Sequence, residues 1–301
     1  MSIIAFVMIV LSAVLHASWN LIAKKSTMSI AFYTVICTTA CLSWVHTQFW
    51  TPVPIWDMPL RFWCYLAGSV LSDALLYCIG LKLAYRSMEM STAYPMMRSL
   101  PLLLTAMLTA ILGWGKELTW LEITGMTIVF AGCLMMPLAR FSDFNVRNYF
   151  NLKILFVLLV ASGTTGYTIF DNQAQAVLRE CVSGISKPVL SMSFYSTRGI
   201  FLSSTLLLMT LCIKGERKNL FSFIKEINFR PVAAGCCASI TYILVLMAMN
   251  YVTNVSYVQA FRQVGLVLGV LGGIILLGEK FTPPKIAGVL MITGGLVITV
   301  I

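Results

Sequence analysis

Four ionisable side chains stand inside long apolar runs of the sequence: Asp73, Arg98, Arg198 and Arg262. A charge at the centre of a spanning helix costs about 2.5–3.5 kcal/mol on insertion scales, so each needs a partner, a wet cavity or a path along which to snorkel. Arginine offers a planar fork of donors that fits a carboxylate or a phosphate. Three arginines face one deeply placed aspartate, with Asp171 expected nearer the end of its run. The excess of interior positive charge favours an anionic or zwitterionic ligand. Asp73 admits two roles, neutralising an arginine as a structural pair or carrying a proton. His16 offers a ring that titrates near neutral pH when unperturbed, or a hydrogen bond across helices.

Depth arithmetic sorts these groups into layers. Arg98 lies seven residues into its run and Arg262 seven into another, each about 10 Å deep at the helical rise but from opposite faces. His16, thirteen residues into the first run, lies about 20 Å from that run's start and so near the level of Arg98. Tyr167 falls near the level of Arg262, and Asp73 near mid-run. The expected site is therefore a polar layer with two-fold character. His16, Trp19, Asn20, Asp73, Tyr77, Tyr94 and Arg98 lie towards one side; Tyr167, Asp171, Tyr195, Arg198, Arg262 and Gln263 lie towards the other. The arginines and Gln263 would bind polar groups, and the aromatics would supply walls and hydroxyls. Asp73, His16 and Asp171 are the candidates for proton coupling or charge balance.

The elements that must hold this layer follow from composition. The chain has 301 residues, 59% hydrophobic and 11% charged, against about 25% charged in soluble domains. Mean hydropathy is +0.88. These values exclude a secreted disulfide scaffold, a disordered protein and an ordinary cytosolic enzyme, and leave an all-α polytopic membrane protein. Ten runs have the roughly 20-residue length of a span: 3–23, 28–49, 62–85, 91–113, 118–138, 152–172, 189–213, 230–250, 255–277 and 283–301. The first lacks a basic leader and a small-residue cleavage site, and is read as a mature helix.

The runs repeat. Arg98 aligns with Arg262, Thr119 with Thr282, Gly125 with Gly288, Gly132 with Gly295, and Phe32-Tyr33 with Phe194-Tyr195. The expected organisation is a five-helix repeat over 1–138, a connecting loop over 139–151 and a second five-helix repeat over 152–301. An odd number of spans per unit inverts the second copy, an arrangement that lets two halves rock about a shared site. Alternate connections hold fourteen and four Lys or Arg residues, which places both termini outside the cytoplasm. The net charge of +10 thus belongs to topology and lipid headgroups, and nucleic acid is not an expected partner.

Nine cysteines with no CxxC pair read as packing residues rather than metal ligands. Gly265, Gly269 and Gly273 form overlapping GxxxG patterns suited to close helix approach. Pro95 and Pro101 flank Arg98, where freed carbonyls are tolerated along a cavity. No metal, cofactor, paired catalytic carboxylates, nucleophile–base motif or P-loop is expected, so the chain reads neither as an enzyme nor as a direct user of ATP.

The stretches His16-Ala17-Ser18-Trp19-Asn20 with Lys24, Tyr94-Pro95 with Arg98 and Pro101, Tyr167-Thr168 with Asp171, and Phe261-Arg262-Gln263 with Gly278-Glu279 and Thr282-Pro283 resemble EamA-type members of the drug/metabolite transporter superfamily. The resemblance covers nearly the whole chain. It implies ten helices in two inverted five-helix repeats, a central cavity and alternating access. It further implies a bacterial cytoplasmic (inner) membrane protein that moves small metabolites, such as amino acids or phosphonate and phosphate compounds. Relatives often carry an acidic residue after the span-nine arginine; here Gln263 removes that counter-charge. The rival reading is a flippase for an anionic lipid-linked headgroup. Expected partners are a small-molecule substrate, membrane lipid and coupling protons. The internal duplication makes a monomer sufficient, with a dimer still compatible.

Overall fold

The computed structural model describes residues 3–26, 28–111, 113, 119–249 and 264–299. Among these the chain is helical, with no strand. The long elements are α1 (Ile3–Lys25), α2 (Ile30–Trp44), α4 (Leu60–Leu71), α5 (Cys78–Ser87), α6 (Met90–Ile111), α7 (Trp120–Met135), α8 (Leu152–Cys181), α9 (Lys187–Cys212), α11 (Arg230–Met249), α12 (Val264–Leu277) and α13 (Pro283–Ile298). A short α3 (Thr47–Trp50) extends α2, and α10 (Lys214–Lys225) turns 110° away from α9. Helix starts follow their capping chemistry. Ser29 accepts from the Phe32 amide, Thr119 and Glu122 form a reciprocal box, and Asn151 accepts from Lys153 and Ile154.

Four described helices are long and apolar enough to cross a membrane: Phe6–Lys25, Ile30–Trp50, Leu60–Ser87 and Leu152–Cys181. A fifth is added if α9 and α10 count as one bent span. Shorter apolar helices cover Trp120–Met135, Arg230–Val245, Val264–Leu277 and Pro283–Ile298. The polarity pattern is inverted relative to a soluble domain. Leu42, Phe130, Leu208, Ile275 and Leu290 are exposed, whereas Asp73, Arg198 and Lys285 are buried. Exposed leucines beside buried ionisable groups fit helices that could face an apolar surrounding.

Two local features differ from the uniform spans expected over 62–85 and 152–172. Between α4 and α5 the chain forms a π-helical segment, Ser72–Tyr77. Single π turns inside α-helices recur at functional sites, and here the segment carries Asp73. Its space comes from α8. A Cβ at Gly163 would run into the Tyr77 backbone, and one at Gly166 would lie 2.6 Å from Ser72 Oγ. In turn, α8 continues to Cys181, nine residues past the expected end, so Asp171 lies well inside the helix. Asn172, Gln173 and Gln175 end the apolar run without ending the helix, and Gln175 accepts a 2.9 Å bond from Ser191 on α9.

Packing is pairwise. α1 lies on α11, α8 lies on α4, the π segment and α5, α2 lies on α9, and α7 lies on α13; α6 touches α8 and α12, and α12 touches α1. α7 and α13 meet antiparallel through glycines. A Cβ on Gly125 would approach Gly295 O at 2.8 Å, and one on Gly132 would approach Gly288 O at 2.8 Å. Gly269 and Gly273 of α12 face Tyr94 and Ser91 of α6, so these glycines let α12 pack closely on α6. The 139–151 segment holds two short 3₁₀ turns, Phe141–Asp143 and Val146–Tyr149.

Candidate functional site

Arg198 of α9 is the centre of a buried network. Its NH2 donates to Asp73 Oδ2 at 2.8 Å. Its Nε donates to Ser69 Oγ at 2.7 Å and to Asp171 Oδ1 at 3.0 Å. Tyr33 OH donates to Asp73 Oδ1 at 2.9 Å, and Ser69 Oγ to Asp171 Oδ1 at 2.5 Å. The guanidinium also lies 5.1 Å over the Tyr167 ring, a cation–π distance. Arg198 therefore has two carboxylate partners, and the cluster carries a net negative charge when both are ionised. The carboxylates are not equivalent. The Asp73 side chain is 6% exposed and that of Asp171 22%.

This network borders a cavity of about 610 Å³ lined from α1, α2, the π segment, α8, α9 and α11. The size suits a small metabolite. Tyr195 and Tyr242 stack on one wall, with ring centroids 4.2 Å apart and planes 10° apart, and Trp44 sits edge-on to both. Trp44 Nε1 donates to Ser239 Oγ at 3.1 Å. The cavity extends along α8 and α9 to Gln175 and Ser191.

A second, smaller space of about 100 Å³ surrounds Arg98, with Asn20, Tyr94 and Thr164 in its wall. His16, Tyr77 and Tyr167 line both spaces. The Tyr77 and Tyr167 rings, 6.0 Å apart and edge to face, partition them. Arg98 NH1 lies 2.9 Å from His16 Nε2, and Trp19 Nε1 donates to His16 Nδ1 at 3.3 Å. Both ring nitrogens thus face donors. A neutral imidazole accepts at one nitrogen only, so the ring accepts from Arg98 or from Trp19 according to its tautomer. Asn20 donates to His16 O within α1 at 2.9 Å and ties α1 to α5 by accepting from Tyr85 OH at 2.7 Å. Tyr94 is buried against Gly269 and tilts towards the His16 ring.

At the end of the bundle with most Lys and Arg, polar side chains tie helix ends to one another. Lys24 Nζ donates to the carbonyls of Tyr85 and Met88. Glu279 caps α6 by accepting from the Met90 and Ser91 amides at 2.6 and 2.7 Å. Lys82 pairs with Glu216 at 2.7 Å, and Arg86 Nε donates to Met28 O at 3.2 Å. None of these side chains borders the 610 Å³ cavity. Glu216 lies in α10, outside the spans. Burial pushes its carboxyl up, but bonds from Lys82 and the Ala31 amide outweigh this and hold it below its ordinary value.

The structure thus joins Asp73, Asp171, Arg198 and Tyr167 in one cluster, and His16, Trp19, Arg98 and Tyr94 in another, with Tyr77 between. Tyr195 lines the main cavity. Arg262 and Gln263 lie outside the described residues. Sequence reasoning did not single out Ser69, Tyr242, Gln175 or Ser191, or assign Tyr33 to the site. Tyr33 carried a signal as the repeat partner of Tyr195; isolated hydroxyl and amide residues in apolar runs carry none.

A solved structure described as "Crystal structure of protein" is similar to this chain over 98% of it and 95% of its own length, with a TM-score of 0.57 and 12% identity. That likeness is one of fold. No protein-family model and no curated protein matches the chain.

Proposed function

We propose that the chain is a secondary active transporter of the EamA type in the drug/metabolite transporter superfamily, seated in a bacterial cytoplasmic membrane. It moves a small anionic or zwitterionic metabolite by alternating access. The observation that carries this reading is the 610 Å³ cavity among apolar helices, bordered by a charged network and separate from the ties at the basic end.

In this reading ten spans form two inverted five-helix repeats, 1–138 and 152–301, joined by 139–151. Swapped contacts support it. The repeat aligns Gly125 with Gly288 and Gly132 with Gly295, and the close approaches are Gly125 to Gly295 and Gly132 to Gly288. The register that aligns Tyr33 with Tyr195 also aligns Thr34 with Ser196 and Gln48 with Thr210. The bonds are Thr34 to Thr210 at 2.7 Å and Gln48 to Ser196 at 2.9 Å. Such exchange is what a two-fold axis requires of equivalent surfaces.

The charge count favours a zwitterion. The main cavity offers Asp171 and stacked tyrosines to a cationic group, while Arg98, beyond Tyr77 and Tyr167, awaits an acidic one. Asp73 and Asp171 both line the cavity, and in this reading Asp171 is the proton-exchanging group because its side chain is the more exposed, 22% against 6%. Alternating access then requires the Tyr77–Tyr167 partition to open as the Lys82–Glu216 and Glu279 ties release.

The test is flux into proteoliposomes for amino acids, phosphonates, sugar phosphates and organic cations, ranked first by ligand-induced thermal shift. Saturable flux of one acidic or zwitterionic class, lost in Arg98→Gln, is expected. Flux restricted to cations, or undiminished in that variant, would overturn the site assignment.

A further inference from the structure

At the basic end of the bundle a separate cavity of about 350 Å³ lies among the starts of α6, α8 and α13 and the segment after α7. It shares no lining residue with either central space. Its polar wall comes from Glu89, Thr92, Lys153, Lys280, Thr282 and Lys285. Lys285 is 4% exposed, pairs with Glu89, and donates to Ser91 Oγ and Lys280 O, each at 3.0 Å. Thr92 and Thr282 spend their hydroxyl protons on the carbonyls of Met136 and Leu138, at 3.3 and 3.1 Å. Lys153 and Lys280 pair with no carboxylate among the described residues. The wall therefore holds three ammonium groups and one carboxylate. The N-termini of α8 and α13 add partial positive charge, whereas that of α6 is capped by Glu279.

The rim supplies the second observation. Leu152, beside Lys153, is 67% exposed, and Phe281, beside Lys280, is 58% exposed. Pro137 and Leu138 continue the apolar wall. Unmatched ammonium groups at the edge of a lipid-facing surface suit an anion that arrives with hydrocarbon attached. Basic clefts between helices on the cytoplasmic side are suited to such headgroups.

We propose that this cavity binds the phosphodiester headgroup of an anionic phospholipid, with Lys153 and Lys280 meeting the phosphate and the acyl chains lying along Leu152 and Phe281. The site is independent of what the central cavity carries. Because Glu89 competes with the phosphate for Lys285, and directly precedes α6, an occupied site would also loosen that helix start.

The test uses the full chain in neutral detergent. Short-chain phosphatidylglycerol, matched phosphatidylcholine and inorganic phosphate are titrated against the unfolding temperature and against lipid adducts in native mass spectrometry. Phosphatidylglycerol is expected to stabilise and to form adducts, with the matched lipid and phosphate ineffective at equal concentration. Lys153→Gln/Lys280→Gln is expected to weaken binding about 30-fold, which is about 2 kcal/mol at about 1 kcal/mol per lysine. Lys218→Gln/Lys225→Gln on α10 should leave it unchanged, and Glu89→Gln should tighten it. Single Lys280→Gln serves if the double variant does not fold. Equal effects of the two lipids, an equal effect of phosphate, or equal losses in both double variants would overturn the proposal.

Discussion

Arg198 holds two carboxylates, and their different exposure gives each a different consequence when neutralised. Asp73 is shut between Arg198 and Tyr33. Asp73→Asn leaves Arg198 paired with Asp171 but removes a buried charge-assisted bond, worth about 1.5–3 kcal/mol. Asp73→Asn is therefore expected to lower the unfolding temperature strongly. Asp171 is the more exposed carboxylate, so its replacement disturbs less buried charge, and Arg198 keeps Asp73. Asp171→Asn is expected to keep the fold and to flatten the pH dependence of flux. Thermal unfolding in detergent and flux between pH 5 and 8 separate the two, and the reverse pattern would exchange their roles. The arginine itself was legible in the sequence as an interior charge. Its ligands were not, because Asp73 and Asp171 lie 125 and 27 residues from it in the chain and only packing joins them.

Glycines set how closely the helices approach. At Gly163 a methyl group meets backbone rather than a yielding side chain, because the π segment presses against α8 there. Overpacking of this kind costs about 1–3 kcal/mol or more. Gly163→Ala is expected to destabilise by at least that amount and to disturb Tyr77 with it. Gly294 of α13 has open space around its would-be Cβ. Gly294→Ala is expected to be neutral or stabilising by up to about 1 kcal/mol, since alanine is the better helix former. Equal unfolding temperatures for the two variants would refute the π-segment account. The GxxxG spacing on α12 was readable in the sequence as a close-packing face. The π turn was not, because residues 62–85 read as one apolar run, and a bulge arises from the surface packed against it.

Across the whole molecule the cavity and the tied end lie apart. In a background lacking the nine native cysteines, Ser191→Cys is expected to react with an impermeant maleimide from the side opposite the basic connections. Bound substrate should slow that labelling. Labelling only from the basic side would reverse the assigned orientation. The tie at the basic end also has a pH signature. Glu216 titrates below its ordinary value in the folded state, so its contribution is complete above the unfolded pKa of about 4.3 and is lost as pH falls through the folded value. The unfolding temperatures of the wild type and Glu216→Gln are expected to differ at pH 7 and to draw together as pH falls through the lowered folded value. A gap that widens on acidification would contradict the pairing with Lys82.

Composition, run length and small-residue spacing by themselves determined that this chain is helical with apolar spans. They also marked the interior charges, because these properties are local and are counted along one dimension. The depth arithmetic set His16 and Arg98 at one level, and the structure finds them 2.9 Å apart. Only the tertiary structure decided which charges neutralise one another. The sequence count of three arginines to one aspartate suggested a positive interior. In the folded bundle Arg198 is matched twice over and Arg98 stands beside a histidine behind two tyrosines. Hydrogen-bond partners come from helices far apart in sequence, and in a low-dielectric interior their strength depends on ångström placement that no residue count contains.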